Sequence, residues 1–110
     1  MLEVAMKLKK ITAIIRASKL EDVEKRLQES GVDGVSVSAV KGYGEYKNFF
    51  TQNWMVSHSR IEIFTNETEV KKIVDIILDT ASCGLAGDGV IAVLPVEKFF
   101  KIRDKAEKIL

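Results

Sequence analysis

The sequence of 110 residues contains very little cysteine and proline. Its single cysteine, Cys83, excludes an intrachain disulfide framework and most cysteine-based metal sites. We expect this thiol to be buried or half-buried, because a free cysteine behaves as a small hydrophobic side chain. One proline and an apolar content of 46% exclude a disordered or low-complexity chain. The length leaves room for one domain with a single hydrophobic core.

An excess of one charge and long apolar runs are also missing. Seventeen basic against sixteen acidic side chains leave a net charge of +1, which argues against a nucleic-acid binder with a dense basic surface. The longest apolar run, residues 90–94, is far too short to span a bilayer. No signal-peptide pattern opens the chain. Met6 is a plausible alternative start, so residues 1–8 are interpreted as an N-terminal leader. We therefore expect a soluble, cytoplasmic protein without a nucleic-acid partner.

Catalytic motifs are scarce. The patterns HExxH, CxxC, GxSxG and the Walker loop do not occur, and the one histidine, His58, is separated from Cys83 by a predicted strand and helix. Many carboxylates lie in predicted first helical turns, where the helix dipole explains them without catalysis. The sequence predicts a protein that is not an enzyme, has no catalytic residues or metal ligands and requires no cofactor.

The first half of the chain has the pattern of a strand, a helix and a second strand. Residues 11–16 are apolar and β-branched, which is typical of a buried strand. Ser18 stands three residues before Glu21, a capping-box spacing that predicts a helix over residues 19–30. Alternation of apolar and polar residues then predicts a strand over residues 35–44 with one wet face.

The second half repeats this pattern. Residues 60–65 form the next strand pattern, and the spacing of Asn66 and Glu69 again predicts a capping box at the start of a helix. The apolar run at residues 90–94 is interpreted as a buried strand, and Pro95 is well placed to begin a short helix. The segment 95–110 is expected to form a charged C-terminal segment.

A doubled strand–helix–strand unit predicts the α+β class. The expected architecture is a ferredoxin-like βαββαβ sandwich over residues 1–110, with an antiparallel sheet and two helices on one face. The other sheet face of such a small domain needs cover, and the serine-bearing second strand does not look fully buried by this chain alone. Self-association would supply that cover.

The connection between the second and third strands is unusually long. It runs over residues 44–59, whereas hairpin loops usually have about two to five residues, so it is either functional or disordered. Five of the eight aromatic residues lie on it or at its root, namely Tyr43, Tyr46, Phe49, Phe50 and Trp54. These side chains could contact a partner or ligand, or pack back onto the domain. The sequence leaves both alternatives open.

Two glycine-rich corners follow strands or precede them. Residues 41–44 and 84–89 each carry several glycines, whose backbone N–H groups can approach an anion closely. The alternative is that each corner is only a turn. A plain turn is the more frequent explanation of such a motif, and the equivalent places of the two corners in the two halves of the fold strengthen the alternative, a site for a phosphate or another small anion.

These segments, in this order, resemble the PII family of trimeric signal-transduction proteins over nearly the whole chain, from Lys9 to Arg103. The family's first strand and helix correspond to residues 9–16 and 19–23, and its second strand, with the root of its long T-loop, to residues 35–44. The match continues through residues 60–63, 87–89, 94–97 and 102–103.

The resemblance implies a homotrimer that senses adenine nucleotides in clefts between its subunits. Family members also bind 2-oxoglutarate together with Mg-ATP, and they control a target such as a transporter or a metabolic enzyme through the T-loop. By position, the nucleotide would contact Ile14, Ser36, Gly42, Tyr43, Gly44, Phe64, Gly87, Asp88, Gly89, Lys101 and Arg103. The T-loop and its partner contacts would involve Tyr46, Phe49, Phe50, Trp54 and His58.

Several positions depart from the family's pattern. Val90 stands where the family places a lysine or arginine on the phosphates, and this removes a charge-assisted contact. Glu45 and Tyr46 replace an arginine and a glutamine at the root of a shortened T-loop, and His58 replaces a lysine that pairs with 2-oxoglutarate. These departures favour ADP or AMP over Mg-ATP with 2-oxoglutarate.

Two alternatives keep the same trimeric fold. In the first, the cleft binds no nucleotide and instead holds another small anion, such as bicarbonate or a carboxylate, or is vestigial. In the second, the protein is a metal-responsive trimer like the CutA proteins, which share this architecture. One histidine and one cysteine are few ligands for a transition-metal site, so the metal alternative is the weaker one.

Overall fold

A four-stranded antiparallel sheet forms around the first strand. The computed structural model describes residues 7–40 and 57–107. Strand β1 (Leu8–Arg16) pairs with β3 (His58–Asn66) on one side and with β4 (Gly89–Pro95) on the other. Strand β2 (Ser36–Val40) pairs with β3, which gives the order β2-β3-β1-β4. Strands β2 and β4 are therefore the edges of this sheet.

Two helices pack on one face of the sheet and close the core. Helix α1 spans Leu20–Glu29 and α2 spans Glu67–Ala81. The strands contribute alternate residues to the core, since successive side chains of a strand point to opposite faces. The buried apolar residues are Ile11, Ala13, Ile15, Val23, Leu27, Ile61, Ile63, Ile73, Ile76, Ile77 and Ala81. This arrangement confirms the predicted ferredoxin-like α+β fold.

The predicted capping boxes are not formed. A short 3-10 turn over Ala17–Lys19 precedes α1 and takes up Ser18, so α1 begins at Leu20, without a side-chain cap, and ends at Glu29. Asn66 does occupy the N-cap position of α2, but its Oδ1 accepts a hydrogen bond from the Thr68 hydroxyl instead of from a backbone N–H. The helices stand where the sequence places them because their apolar faces are buried, not because of these caps.

The prediction that β4 is a buried strand is wrong for a single chain. Val90, Val93 and Leu94 are each 42% exposed, because β4 is an edge strand while α2 packs against β1 and β3. The other edge behaves in the same way, since Val37 of β2 is 43% exposed. Both edges of the sheet thus leave apolar side chains in contact with solvent.

Pro95 ends a strand and does not begin a helix. It pairs with Lys9 as the last residue of β4, and the next N–H, that of Val96, donates to the Leu8 carbonyl at 3.1 Å. Proline is tolerated here because an edge strand does not need every N–H for pairing. The chain then forms a small hairpin from β5 (Phe100–Lys101) and β6 (Ala106–Glu107).

Two predicted boundaries also change. Leu8 is a buried residue of β1, so it belongs to the sheet and not to a leader over residues 1–8. His58 and Ser59 are the first two residues of β3, so the long connection stops before them instead of reaching residue 59. Within the described ranges, neither helix combines the length and the apolar character needed to cross a membrane.

Candidate functional site

The sheet face opposite the helices, which we call the open face, carries most of the candidate site. Even-numbered residues of β1, β2, β3 and β4 point to it, since the odd-numbered residues of β1 and β3 fill the core. A Lys10–Glu62 ion pair of 2.7 Å lies on this face. The hydrogen bond from Lys10 lowers the pKa of the Glu62 carboxyl below its usual range. The open face therefore combines charged and apolar side chains, and neither α1 nor α2 covers it.

One end of the open face meets the turn between α2 and β4. In this turn the Asp88 Oδ2 accepts hydrogen bonds from the N–H groups of Cys83, Gly84 and Leu85, at 2.8, 2.8 and 3.2 Å. The Asp88 carboxylate thus already binds three N–H groups at the start of this glycine-rich corner. A phosphate at this corner would have to use other groups.

The electrostatics of Asp88 follow from the same bonds. Partial burial by itself would raise the pKa of the Asp88 carboxyl. The hydrogen bonds from the three N–H groups and from Arg16 outweigh this effect and hold the pKa below its usual range. Asp88 is therefore charged at neutral pH, and its carboxylate is used in hydrogen bonds within the protein.

Arg16 covers the turn from the end of β1. Its Nε donates to the Asp88 Oδ1 at 3.2 Å, and both side chains are about one-fifth exposed, at 18% and 22%. Its guanidinium also packs against Gly87, where an added Cβ would stand 2.7 Å from Arg16 Nη2. A side chain at position 87 would therefore require the guanidinium group of Arg16 to shift.

His58 holds the same turn from β3. Its Nε2 lies 2.9 Å from the Gly87 carbonyl oxygen and donates to it, and the side chain is only 2% exposed. The prediction that His58 belongs to the T-loop and its partner contacts is corrected, because His58 is the first residue of β3 and its ring is buried against the turn at Gly87. The prediction that Cys83 is buried or half-buried is wrong, because this residue follows the end of α2 and is exposed.

The predicted nucleotide-binding residues fall into separate groups within one chain. Ile14, Gly87, Asp88 and Gly89 come together beside Val90. Ile14, Asp88 and Gly89 also line a small apolar pocket with side chains from residues 77–82, so this pocket lies on the helix side of the sheet and not on the open face. Ser36 lies on the β2 edge, opposite Glu62 of β3. Lys101 and Arg103 are exposed on the C-terminal hairpin.

Phe64 lies in a different environment. Its ring is 51% exposed, stands 5.2 Å from the Phe99 ring and has the Lys10 Nζ at 5.9 Å above it. It lines a second pocket with residues 31–34, between α1 and β2. The remaining predicted residues lie outside the described residues, namely Gly42, Tyr43, Gly44, Tyr46, Phe49, Phe50 and Trp54.

Sequence reasoning missed the part that Arg16 plays. A signal was present, because Arg16 stands two residues after Ile14 and so shares its face of the strand. Its contact with a turn 72 residues later in the chain follows only from the pairing of β1 with β4. In the described parts of the chain, no three or more His, Cys, Asp or Glu side chains are grouped so that they could hold a metal ion.

The fold and the site together define a class of protein. The strand order and the two helices on one face are those of a ferredoxin-like α+β domain, and the candidate turn lies at the end of its open face. Comparison with known proteins gives the family. The sequence profile described as "Nitrogen regulatory protein P-II" matches residues 8–106.

Curated relatives agree with this match. The chain is 35% identical to a nitrogen regulatory protein P-II of Pasteurella multocida and 38% identical to one of Klebsiella oxytoca, each over 107 residues. Both alignments cover 91% of this chain and 96% of the relative. Nitrogen regulatory protein P-II 1 of Escherichia coli is also 38% identical, with the same coverage.

A solved structure agrees as well. The structure of Arabidopsis thaliana PII bound to citrate superposes with a TM-score of 0.78 at 32% identity, covering 94% of this chain and 90% of the other. The chain therefore belongs to the nitrogen regulatory protein P-II family, which confirms the resemblance found in the sequence. It is a PII-family nitrogen regulatory signalling protein, and the proteins of this family are regulatory.

Proposed function

We propose that this protein senses an adenine nucleotide in clefts between the subunits of a homotrimer, with ADP or AMP preferred to Mg-ATP with 2-oxoglutarate. It reports the bound state to a target protein through the long connection between β2 and β3. The observation that carries the proposal is the turn at Gly87–Gly89, held by Arg16 and His58 at the end of the open face.

The separation of the candidate residues supports a cleft between subunits. Ile14 and Gly89 lie where β1 pairs with β4, whereas Phe64 lies beside residues 31–34. A second subunit would bring the Phe64 region and the C-terminal hairpin of one chain to the turn of the next. Members of the PII family are trimeric, and the exposed apolar residues of both edge strands are suited to burial in such an assembly.

The charge around the turn supports the preference among nucleotides. Residues 82–90 contain no lysine or arginine, and Val90 offers only an apolar side chain. The nearby guanidinium of Arg16 is partly balanced by Asp88. Each phosphate carries negative charge, and an anion in a desolvated site needs matching cations or N–H donors. A site with so little net positive charge favours a ligand with fewer phosphates.

The connection to a target is supported by what its end contacts. The Ser57 carbonyl accepts a hydrogen bond from Ala17 N–H at 3.3 Å, and the next residue, His58, bonds to Gly87. The chain that leaves the long connection is thus tied directly to the turn proposed to meet the ligand. A ligand that shifts the turn would move the root of the connection.

Titration calorimetry tests the nucleotide. We expect binding of ADP and AMP in the micromolar range and at least tenfold weaker binding of ATP, measured with and without Mg²⁺ and 2-oxoglutarate (about 1.4 kcal/mol per tenfold). ATP binding that is tighter than ADP binding would contradict the preference, and silence with all three nucleotides would contradict nucleotide sensing.

A small anion is the second candidate ligand. Arabidopsis PII, which shares the fold at 32% identity, is bound to citrate in its solved structure, so a PII fold can hold a small carboxylate. The same titrations with citrate and bicarbonate distinguish this candidate. Binding of one of these anions without any nucleotide would favour it.

The trimer is tested by sedimentation equilibrium. We expect a species of three 12.3 kDa chains, and dissociation of this species in Ala92→Glu. Ala92 lies on the open face of β4, where an assembly would bury the new carboxylate without a partner. The control is Gln28→Glu on the exposed side of α1, which should leave the mass unchanged. A wild-type monomer would contradict the intersubunit cleft.

A further inference from the structure

The turn before β4 has no cation of its own, yet a cation lies against it. None of the residues 82–90 is a lysine or arginine. The guanidinium of Arg16 nevertheless reaches this turn from β1, where it contacts Gly87 and bonds to Asp88. A positive charge is therefore present at the turn, although it comes from a distant part of the sequence.

The geometry leaves part of this guanidinium for another anion. The contact with Asp88 runs through Nε at 3.2 Å, and the Asp88 Oδ2 is already occupied by three N–H groups. The Nη2 group lies over Gly87, and the side chain keeps 18% of its surface exposed. Arginine carries five N–H donors in a fixed plane, so a single bond through Nε does not exhaust it.

Other cations of the open face are less well placed. Lys10 pairs with Glu62 and stands near Phe64, away from the turn. Arg60 lies on β3, with β1 between it and β4. Arg16 and Val90 share the open face on adjacent strands, because Val90 pairs with Ile14, two residues before Arg16. The positive charge of Arg16 is thus close to the place that the charge of a lysine or arginine at position 90 would occupy.

We propose that Arg16 is the anion-binding cation of this cleft and supplies the positive charge that Val90 does not. The anionic group it meets is a phosphate of the nucleotide, or the charged end of a small anion bound in its place. This inference rests on the proposed function and assigns the residue that sets its ligand preference. Because Asp88 balances part of the charge, Arg16 suits a ligand with one or two phosphates better than one with three.

Calorimetry on the whole 110-residue chain tests this with ADP, AMP, ATP, inorganic phosphate and bicarbonate as probes. Arg16→Gln keeps a hydrogen-bond donor for Asp88 but removes the charge, and we expect ADP affinity to fall about ten- to hundredfold. Arg16→Lys keeps the charge without the planar fork and should give an intermediate loss. The matched control is Lys25→Gln, which removes a positive charge from an exposed position on α1 and should leave affinity unchanged.

A relocated cation separates a binding role from a purely structural one. Val90 is 42% exposed on the same face, so a lysine fits there. In Arg16→Gln/Val90→Lys we expect most of the lost ADP affinity to return, and in Val90→Lys alone we expect ATP to gain more affinity than AMP. A structural role for Arg16 in holding the turn would not be rescued by a lysine at position 90.

Two results for the Arg16 variants would contradict the proposed role of Arg16. Unchanged affinity in Arg16→Gln overturns the inference, and so does a loss that Val90→Lys fails to rescue. If the wild type binds phosphate or bicarbonate but no nucleotide, nucleotide sensing fails, and the same variants titrated with that anion test Arg16. If the wild type binds none of the probes, both the proposed function and the inference are wrong.

Discussion

Gly89→Ala is expected to lower the free energy of unfolding by at least about 3 kcal/mol. Gly89 has φ +108°, and a Cβ at this position would stand 1.8 Å from the Ile14 carbonyl oxygen. That oxygen belongs to the backbone of the central strand, so it cannot move aside without disturbing the pairing of β1 with β4. Urea unfolding followed by circular dichroism measures the loss, and a protein too unstable to purify is the extreme of the same result.

Gly84→Ala is the matched control for this substitution. Gly84 also has a positive φ, +79°, but a Cβ there would meet no atom within 4 Å. Its cost should be limited to the backbone conformation, about 1 kcal/mol. Equal losses at the two positions would show that the approach of β4 to Ile14 is not the cause.

Asp88→Ala is expected to destabilise the protein by about 2 kcal/mol, because three N–H groups and Arg16 lose one shared acceptor. Water replaces part of this loss, since Cys83, Gly84 and Leu85 are exposed. Asp88→Asn keeps the size of the side chain but removes its charge, and should cost less than Asp88→Ala. An alanine variant as stable as the wild type would contradict the proposed importance of this carboxylate.

The same carboxylate makes stability depend on pH. Its pKa in the folded protein lies below the ordinary value of 3.8, so the folded state binds the proton less readily than the unfolded chain. The stabilisation from Asp88 is fully present above that ordinary value and is lost as the pH falls through the lower folded pKa. The difference in unfolding free energy between the wild type and Asp88→Asn should therefore shrink on acidification below about pH 4. A constant difference would contradict this.

Local patterns in the sequence were sufficient for the fold class. The alternation around Ile11 and Ile61 and the helical spacing around Val23 and Ile77 decide which side chains can be buried together, and the structure buries them. Two strand–helix–strand units then leave few ways to form one antiparallel sheet. The family resemblance rested on motifs spread over the chain, and the comparisons confirm it.

The site was predicted less completely, because its contacts join distant parts of the chain. The glycines at 87 and 89 were recognised, but not the groups that lie against them, the Arg16 guanidinium and the Ile14 carbonyl, which only the pairing of β1 with β4 brings near. The burial of His58 likewise depends on a turn 29 residues later. An apolar run such as 90–94 shows that a strand is favoured, but not whether another element covers it.

The sequence by itself determined the α+β class, the positions of the two helices, the glycine-containing turn and membership of the PII family, because these depend on residue periodicity and on local motifs. Only the tertiary structure decided that β4 is an exposed edge and that Pro95 leads into a hairpin. It also decided that Asp88 accepts hydrogen bonds from the N–H groups of its own turn, and that Arg16 and His58 both bond to that turn. The physical reason is that burial, ion pairing and hydrogen bonding depend on which segments meet in space, and strand pairing sets this.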